Sequence, residues 1–167
     1  MKHILIGAAL LGAPLSGHAQ TAPTAPAAPV SQPAPPYGTP IDMAKARALI
    51  DRAVAAARLR GFRMAVAIVE PSGELVMFVR MDDTQYGSTF VAQKKASTAA
   101  RYRLATAAIE QRTLAGRIVT LGNEDQIPIA GGVPILVDGR IVGAIGVSGA
   151  AASEDDEVAR AALDGFR

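Results

Sequence analysis

The chain has 167 residues, half of them hydrophobic and 19% charged, with 17 Lys+Arg against 15 Asp+Glu. Its length fits one domain with an appendage. A net charge of +2 gives no basic field of the kind that nucleic-acid binders use. The absence of cysteine excludes disulfides, thiolate metal sites and catalytic thiols.

Residues 1–20 place Lys2 before an apolar run from Ile4 to Leu15, followed by the small-x-small step Gly17-His18-Ala19. This layout predicts a signal peptide over residues 1–19 and a periplasmic or secreted protein. The run is too short for a spanning helix and is interrupted by Gly12 and Pro14. His3 and His18 are the only histidines and both fall in this leader, so the exported chain would offer neither imidazole nor thiol. Residues 20–39 are rich in Pro and Ala and carry no charge, which predicts an extended, unpacked linker.

The folded domain is expected over residues 40–167. A helix opens near Thr39-Pro40, with Met43, Ala46, Ile50, Val54 and Ala57 on one stripe and Gly61 as its stop. Met64–Val69, apolar on both faces, predicts a central strand, and Pro71-Ser72-Gly73 turns it into a second strand over Glu74–Arg80. The stretch from Ser88 to Gln111 is alanine-rich and helical in composition, with a break expected near Arg101–Arg103 and an end at Gly116. A further strand is expected around Ile127–Ile129. Asp138-Gly139 is a type I′ hairpin signal between strands Val133–Val137 and Arg140–Ser148. Gly143 and Gly146 mark close approach by another backbone, a helix or a ligand. Ser153 is expected to cap a last helix, whose acids Glu154, Asp155, Asp156 and Glu157 complement the helix dipole. The order of elements predicts an α+β fold with an antiparallel sheet.

The run GGVPILVDGRIVGAIGVSGAAASEDDEVARAAL resembles the C-terminal signature of the GlcG/HbpS family, FVAQKKASTAARY resembles its second helix, and RMAVAIVEPSGELVMFVRMDD its first hairpin. The resemblance covers most of residues 41–163. It implies a five-stranded antiparallel sheet with flanking helices, of the PAS/profilin type, a homo-oligomer, and for several members haem binding.

Candidate binding residues follow from chemistry and from this resemblance. The Gly131-Gly132-Val133-Pro134 turn either lines a pocket with backbone N–H groups or simply needs glycine torsions. Lys95 either meets a ligand carboxylate or pairs with Asp82, Asp83 or an acid of the last helix. Segment 94–117 gathers Lys94, Lys95, Arg101, Arg103, Arg112 and Arg117 against Glu110 alone, which suits an acidic ligand or stays a solvated face. The same excess of base could meet the acids Glu154–Glu157 of a second subunit. Glu154 and Glu157 at E-x-x-E spacing could bind a hard cation, though helix-start acids are more often dipole partners. For haem, the oxygen and sulfur donors are Tyr37, Tyr86, Tyr102, Thr120 and the methionines. The leading expectation is an extracytoplasmic protein that binds haem or another tetrapyrrole. The alternatives are an enzyme acting on haem or on a small organic acid, and an oligomeric scaffold or sensor accessory. No catalytic constellation stands out, and no metal site is assigned.

Overall fold

A computed structural model describes residues 33–167. The leader expected over residues 1–19 and the linker as far as residue 32 lie outside the described residues. Helix α1 (Met43–Leu59) is capped by Asp42, whose carboxylate accepts from the Lys45 N–H at 2.8 Å. Its buried stripe is Ala46, Leu49, Ile50, Ala53, Ala56 and Ala57, and Gly61 follows at φ 73°. Strands β1 (Ala65–Val69) and β2 (Leu75–Arg80) form the expected first hairpin. Helix α2 (Gly87–Tyr102) ends where Arg103 turns left-handed at φ 53°, and α3 (Thr106–Leu114) resumes beyond it. The break expected near Arg101–Arg103 is therefore present. A 3-10 turn, Ile118–Gly122, follows Gly116. Strands β3 (Gly132–Val137) and β4 (Arg140–Ser148) close through Asp138 and Gly139, both at positive φ as a type I′ turn requires. Helix α4 (Ala152–Leu163) ends the fold.

Among the described residues the sheet has four strands in the order β2-β1-β4-β3, all pairs antiparallel. This corrects the expected five. Residues Ile127–Ile129 form no strand: Pro128 has no N–H for a ladder, and the Ile127 N–H is taken by the Thr98 hydroxyl at 3.0 Å. Instead, the chain just before α1 lies along the start of β4. The Ile141 N–H donates to the Pro36 carbonyl, Gly38 and Ile41 donate to Ile141 and Val142, and Tyr37 bridges Ile141 in parallel. Tyr37 also donates its hydroxyl to the carbonyls of Ala100 and Arg101 at the end of α2.

Strand alternation gives the sheet two unlike faces. Val66, Ile68, Val133, Ile135, Ile145 and Val147 pack with Leu49 and Ile50 of α1 and Val158, Ala159 and Ala162 of α4. On the other face, Ala65, Ala67, Val69 and Ala144 meet Ala92, Ala96, Ala99 and Ala100 of α2. Gly132 and Gly146 are cross-strand partners on that face. A Cβ on Gly146 would collide with the backbone at Ala92 and Ala96, and one on Gly132 with the Lys95 carbonyl. These glycines bring α2 into backbone contact with the sheet, the close approach anticipated for Gly146. The start of α4 departs from expectation. Its cap is Ala151 and not Ser153, because the Glu154 carboxylate reaches back to the Ala151 N–H at 2.9 Å and leaves Ser153 inside the helix. No helix among the described residues is long and apolar enough to cross a membrane.

Candidate functional site

The left-handed turn at Arg103 swings α3 away from the axis of α2 and opens a cleft between the two helices and the 3-10 turn. The cleft measures about 370 Å³ and is lined by Tyr102, Leu104, Ile109, Arg112, Arg117, Val119, Thr120, Asn123 and Gln126. Its volume lies in the range of small-ligand sites. Leu104, Ile109 and Val119 make the apolar part. Arg112 and Arg117 carry its positive charge, and among the described residues neither has a carboxylate within 4.0 Å. Two hydroxyls face the same space and are held in place. The Tyr102 oxygen accepts from the Asn123 side-chain amide. The Thr120 hydroxyl lies 3.0 Å from that of Thr113 and 3.1 Å from the Arg117 carbonyl, while its own carbonyl accepts from the Gln126 amide at 2.9 Å. Ile118 and Leu121 of the turn and Leu114 at the end of α3 are exposed close by in sequence.

Of the residues singled out in the sequence, the structure brings together Tyr102 and Thr120, along with Arg112 and Arg117 of the basic segment. Arg101 points elsewhere. Its guanidinium donates to the Ser72 carbonyl at 2.8 Å and pairs with Glu74 at 3.3 Å, pinning the β1–β2 turn to α2. Lys95 is 1% exposed, with its ammonium 2.7 Å from Asp155 and 3.1 Å from the Val147 carbonyl. Of its two readings, the ion pair with an acid of the last helix is the one realised. Burial pushes the Asp155 carboxyl above its ordinary range. The Lys95 ammonium and the N–H groups of Ala150 and Gly149 pull the other way. Gly131 and Gly132 belong to the same internal joint. Gly131 sits at φ 118°, where a Cβ would strike the Val147 carbonyl and the Asp155 and Lys95 side chains. The Gly132 N–H donates to the buried Thr106 hydroxyl at 2.8 Å. Pro134 pairs with Ala144 on the outermost strand β3, where a missing N–H is tolerated. The double-glycine turn thus holds α2, α3 and α4 to the sheet and does not line the cleft.

The acids of α4 are also engaged within the chain. Glu154 holds the helix start, Asp155 holds Lys95, and Asp156 pairs with Arg160 at 2.6 Å. Ion pairing thus neutralises two of the four acids that were expected to face a neighbouring subunit. Among the described residues no group of three or more acidic side chains is placed to hold a metal ion. Asn123, Gln126, Leu104 and Ile109 were not anticipated in the cleft. The asparagine and glutamine follow the 3-10 turn, in a stretch with no readable periodicity.

Residues 41–164 match the model of a family described as haem degrading protein HbpS-like. The Escherichia coli K12 protein GlcG is 35% identical over 103 residues, which span 62% of this chain and 77% of that protein. A crystal structure of HbpS superposes with a TM-score of 0.72 at 27% identity, covering 78% of this chain and 92% of the other. A PduOC–haem complex shares the fold, with a TM-score of 0.71 at 24% identity over 77% of this chain and 96% of the other. On the extent of the family match and the identity to GlcG, the chain belongs to the HbpS-like family.

Proposed function

We propose that this protein binds haem or a closely related tetrapyrrole in the cleft between α2, α3 and the 3-10 turn, outside the cytoplasm and as a homo-oligomer. The observation that carries the reading is the pairing of two carboxylate-free arginines with an apolar slot. Haem is flat and apolar over most of its surface and acidic at its propionates, and arginine binds carboxylates with two parallel N–H donors. The residues fit such a ligand in these respects. They supply weaker candidates for the iron: among the described residues lining the cleft, the donors of note are the hydroxyls of Tyr102 and Thr120. Tyrosine is a known haem ligand, whereas threonine is a weak one. The adjoining 3-10 turn also leaves Ile118 and Leu121 exposed.

Titrating haem into the protein and following the Soret band tests this. A saturable shift is expected at one haem per chain, weakened by Arg112→Ala with Arg117→Ala and altered in position by Tyr102→Phe. Absence of any Soret shift removes the proposal. The family's description favours a second reading, an enzyme that opens the macrocycle. Loss of the Soret band on adding a reductant in air, with an open-chain pigment as product, would support it. Mass spectrometry of the exported form tests removal of residues 1–19. Light scattering tests the oligomer.

A further inference from the structure

A second basic depression lies on the α1 side of the molecule and shares no lining residue with the cleft. It has a volume of about 220 Å³. Three arginines from separate elements converge on it: Arg58 from the last turn of α1, Arg63 from the segment entering β1, and Arg80 from the end of β2. The register explains the meeting. Ala65 pairs with Arg80, and the Met81 N–H donates to the Met64 carbonyl, so the chain on either side of that joint is held together. Like charges repel, and folding has nonetheless placed three of them around one hollow. Among the described residues none of the three has a carboxylate oxygen within 4.0 Å. Arg80 is also pre-positioned. Its guanidinium lies 4.9 Å from the centre of the Tyr86 ring and donates to the Thr84 carbonyl at 3.2 Å, which leaves other N–H groups free. Val54 and Val79 supply an apolar wall. Asp82 lines the same hollow without a salt bridge to any of the three arginines, so its carboxylate counts in the charge of the site and stays able to accept a hydrogen bond.

We propose that Arg58, Arg63 and Arg80 form a binding site for a compact dianion that carries a hydroxyl group. Three guanidinium groups less one carboxylate leave a charge of +2, which a dianion balances. Asp82 can only accept, so it favours an anion that presents an O–H and opposes one that presents bare oxygen. Hydrogen phosphate and a hydroxylated dicarboxylate such as malate share this chemistry. Neither needs more room than the hollow provides. Sulfate and succinate have the charge without the donor, and acetate has neither.

The test is calorimetric titration and thermal melting of the full chain with phosphate, malate, sulfate, succinate and acetate at fixed ionic strength. Saturable binding with one site per chain is expected for phosphate, malate or both. Tighter binding of one of the two identifies the source of the anion. The bound anion should raise the melting temperature by relieving repulsion among the arginines. Sulfate and succinate should bind more weakly, and Asp82→Asn should erase that preference. Arg63→Gln and Arg80→Gln should each weaken binding by about tenfold or more, as expected for loss of a charge-assisted contact. Arg47→Gln, an exposed site elsewhere on α1, removes equal charge and should change nothing. Both arginine variants should give the unaltered circular dichroism of a folded chain. Removing repulsion predicts that Arg63→Gln melts no lower than the parent without anion. Failure of phosphate and malate to saturate, or equal losses in Arg47→Gln, would overturn the site. Haem titration of Arg63→Gln should match the parent, so the outcome here is separate from that of the haem reading.

Discussion

The two faces of the sheet solve the same packing problem with different materials. Toward α1 and α4, side chains of valine, isoleucine and leucine interlock, and buried apolar area holds the layers together. Toward α2 the contact is made by alanines and by the Gly132/Gly146 pair, so helix backbone approaches strand backbone. The first face is thick and should respond to lost volume. The second is thin and should respond to added volume. The Lys95–Asp155 pair joins the helices on the two faces, reaching from α2 to α4 beside Gly131. Helix α2, which packs on the thin face, ends at Tyr102, a residue that lines the cleft.

Breaking that joint should produce the largest effect. Lys95→Met leaves a buried carboxylate with no counter-charge, and loss of one partner from a buried pair costs about 3–5 kcal/mol. Urea unfolding of the variant measures it. Replacing both partners, Lys95→Met with Asp155→Leu, should recover most of the loss, because a buried pair returns little beyond its own desolvation. A double variant as unstable as Lys95→Met would mean that the pair contributes net stability.

The contrast between the faces is sharpened by opposite substitutions. Gly146→Val drives a branched side chain into the backbone at Ala92 and Ala96 and should cost about 3 kcal/mol, the upper end for overpacking. Ile145→Val, its neighbour on the other face, only removes a methylene and should cost about 1 kcal/mol. Because α2 carries Tyr102, Gly146→Val should also weaken haem binding in whatever fraction stays folded, whereas Ile145→Val should leave it unchanged. Equal costs for the two substitutions would show that the faces do not differ in the way their composition suggests.

Much of this architecture was legible in the residues. Strand β4 falls on its expected bounds, the Asp138-Gly139 turn has the torsions its sequence demands, and the spacing of Gly143 and Gly146 announced a close neighbour. These are local signals, fixed by period and by glycine torsions. The joint at Lys95 was half legible, since an acid of the last helix was among its candidate partners. Sequence could not choose between that acid and a ligand, because the choice depends on how α4 returns across the sheet. The cleft was least legible. Tyr102 and Thr120 were named for their oxygens, not for their proximity. What brings them together is one left-handed residue, Arg103, followed by a 3-10 turn. A non-glycine residue at positive φ leaves little mark in sequence, and a five-residue turn carries no hydrophobic period.

The smallest expected effect concerns proton linkage at the same joint. Burial holds the Asp155 carboxyl above its ordinary value of 3.8, against the opposing pull of Lys95. The folded state then keeps this proton more tightly than the unfolded state does. In the interval that begins at 3.8 and runs upward to the raised value, folding takes up a proton, and stability from this group falls as pH rises. Acidification through the interval should therefore favour the fold at Asp155, the reverse of the usual trend for a carboxylate held by an exposed ion pair. Comparison with Asp155→Asn isolates the contribution, because the variant lacks the titrating group in both states. The stability advantage of the parent over Asp155→Asn, measured by urea unfolding from pH 6 down to pH 4, should widen as pH falls. If it narrows, the ammonium of Lys95 outweighs desolvation, and the joint between the two faces behaves as an attractive ion pair.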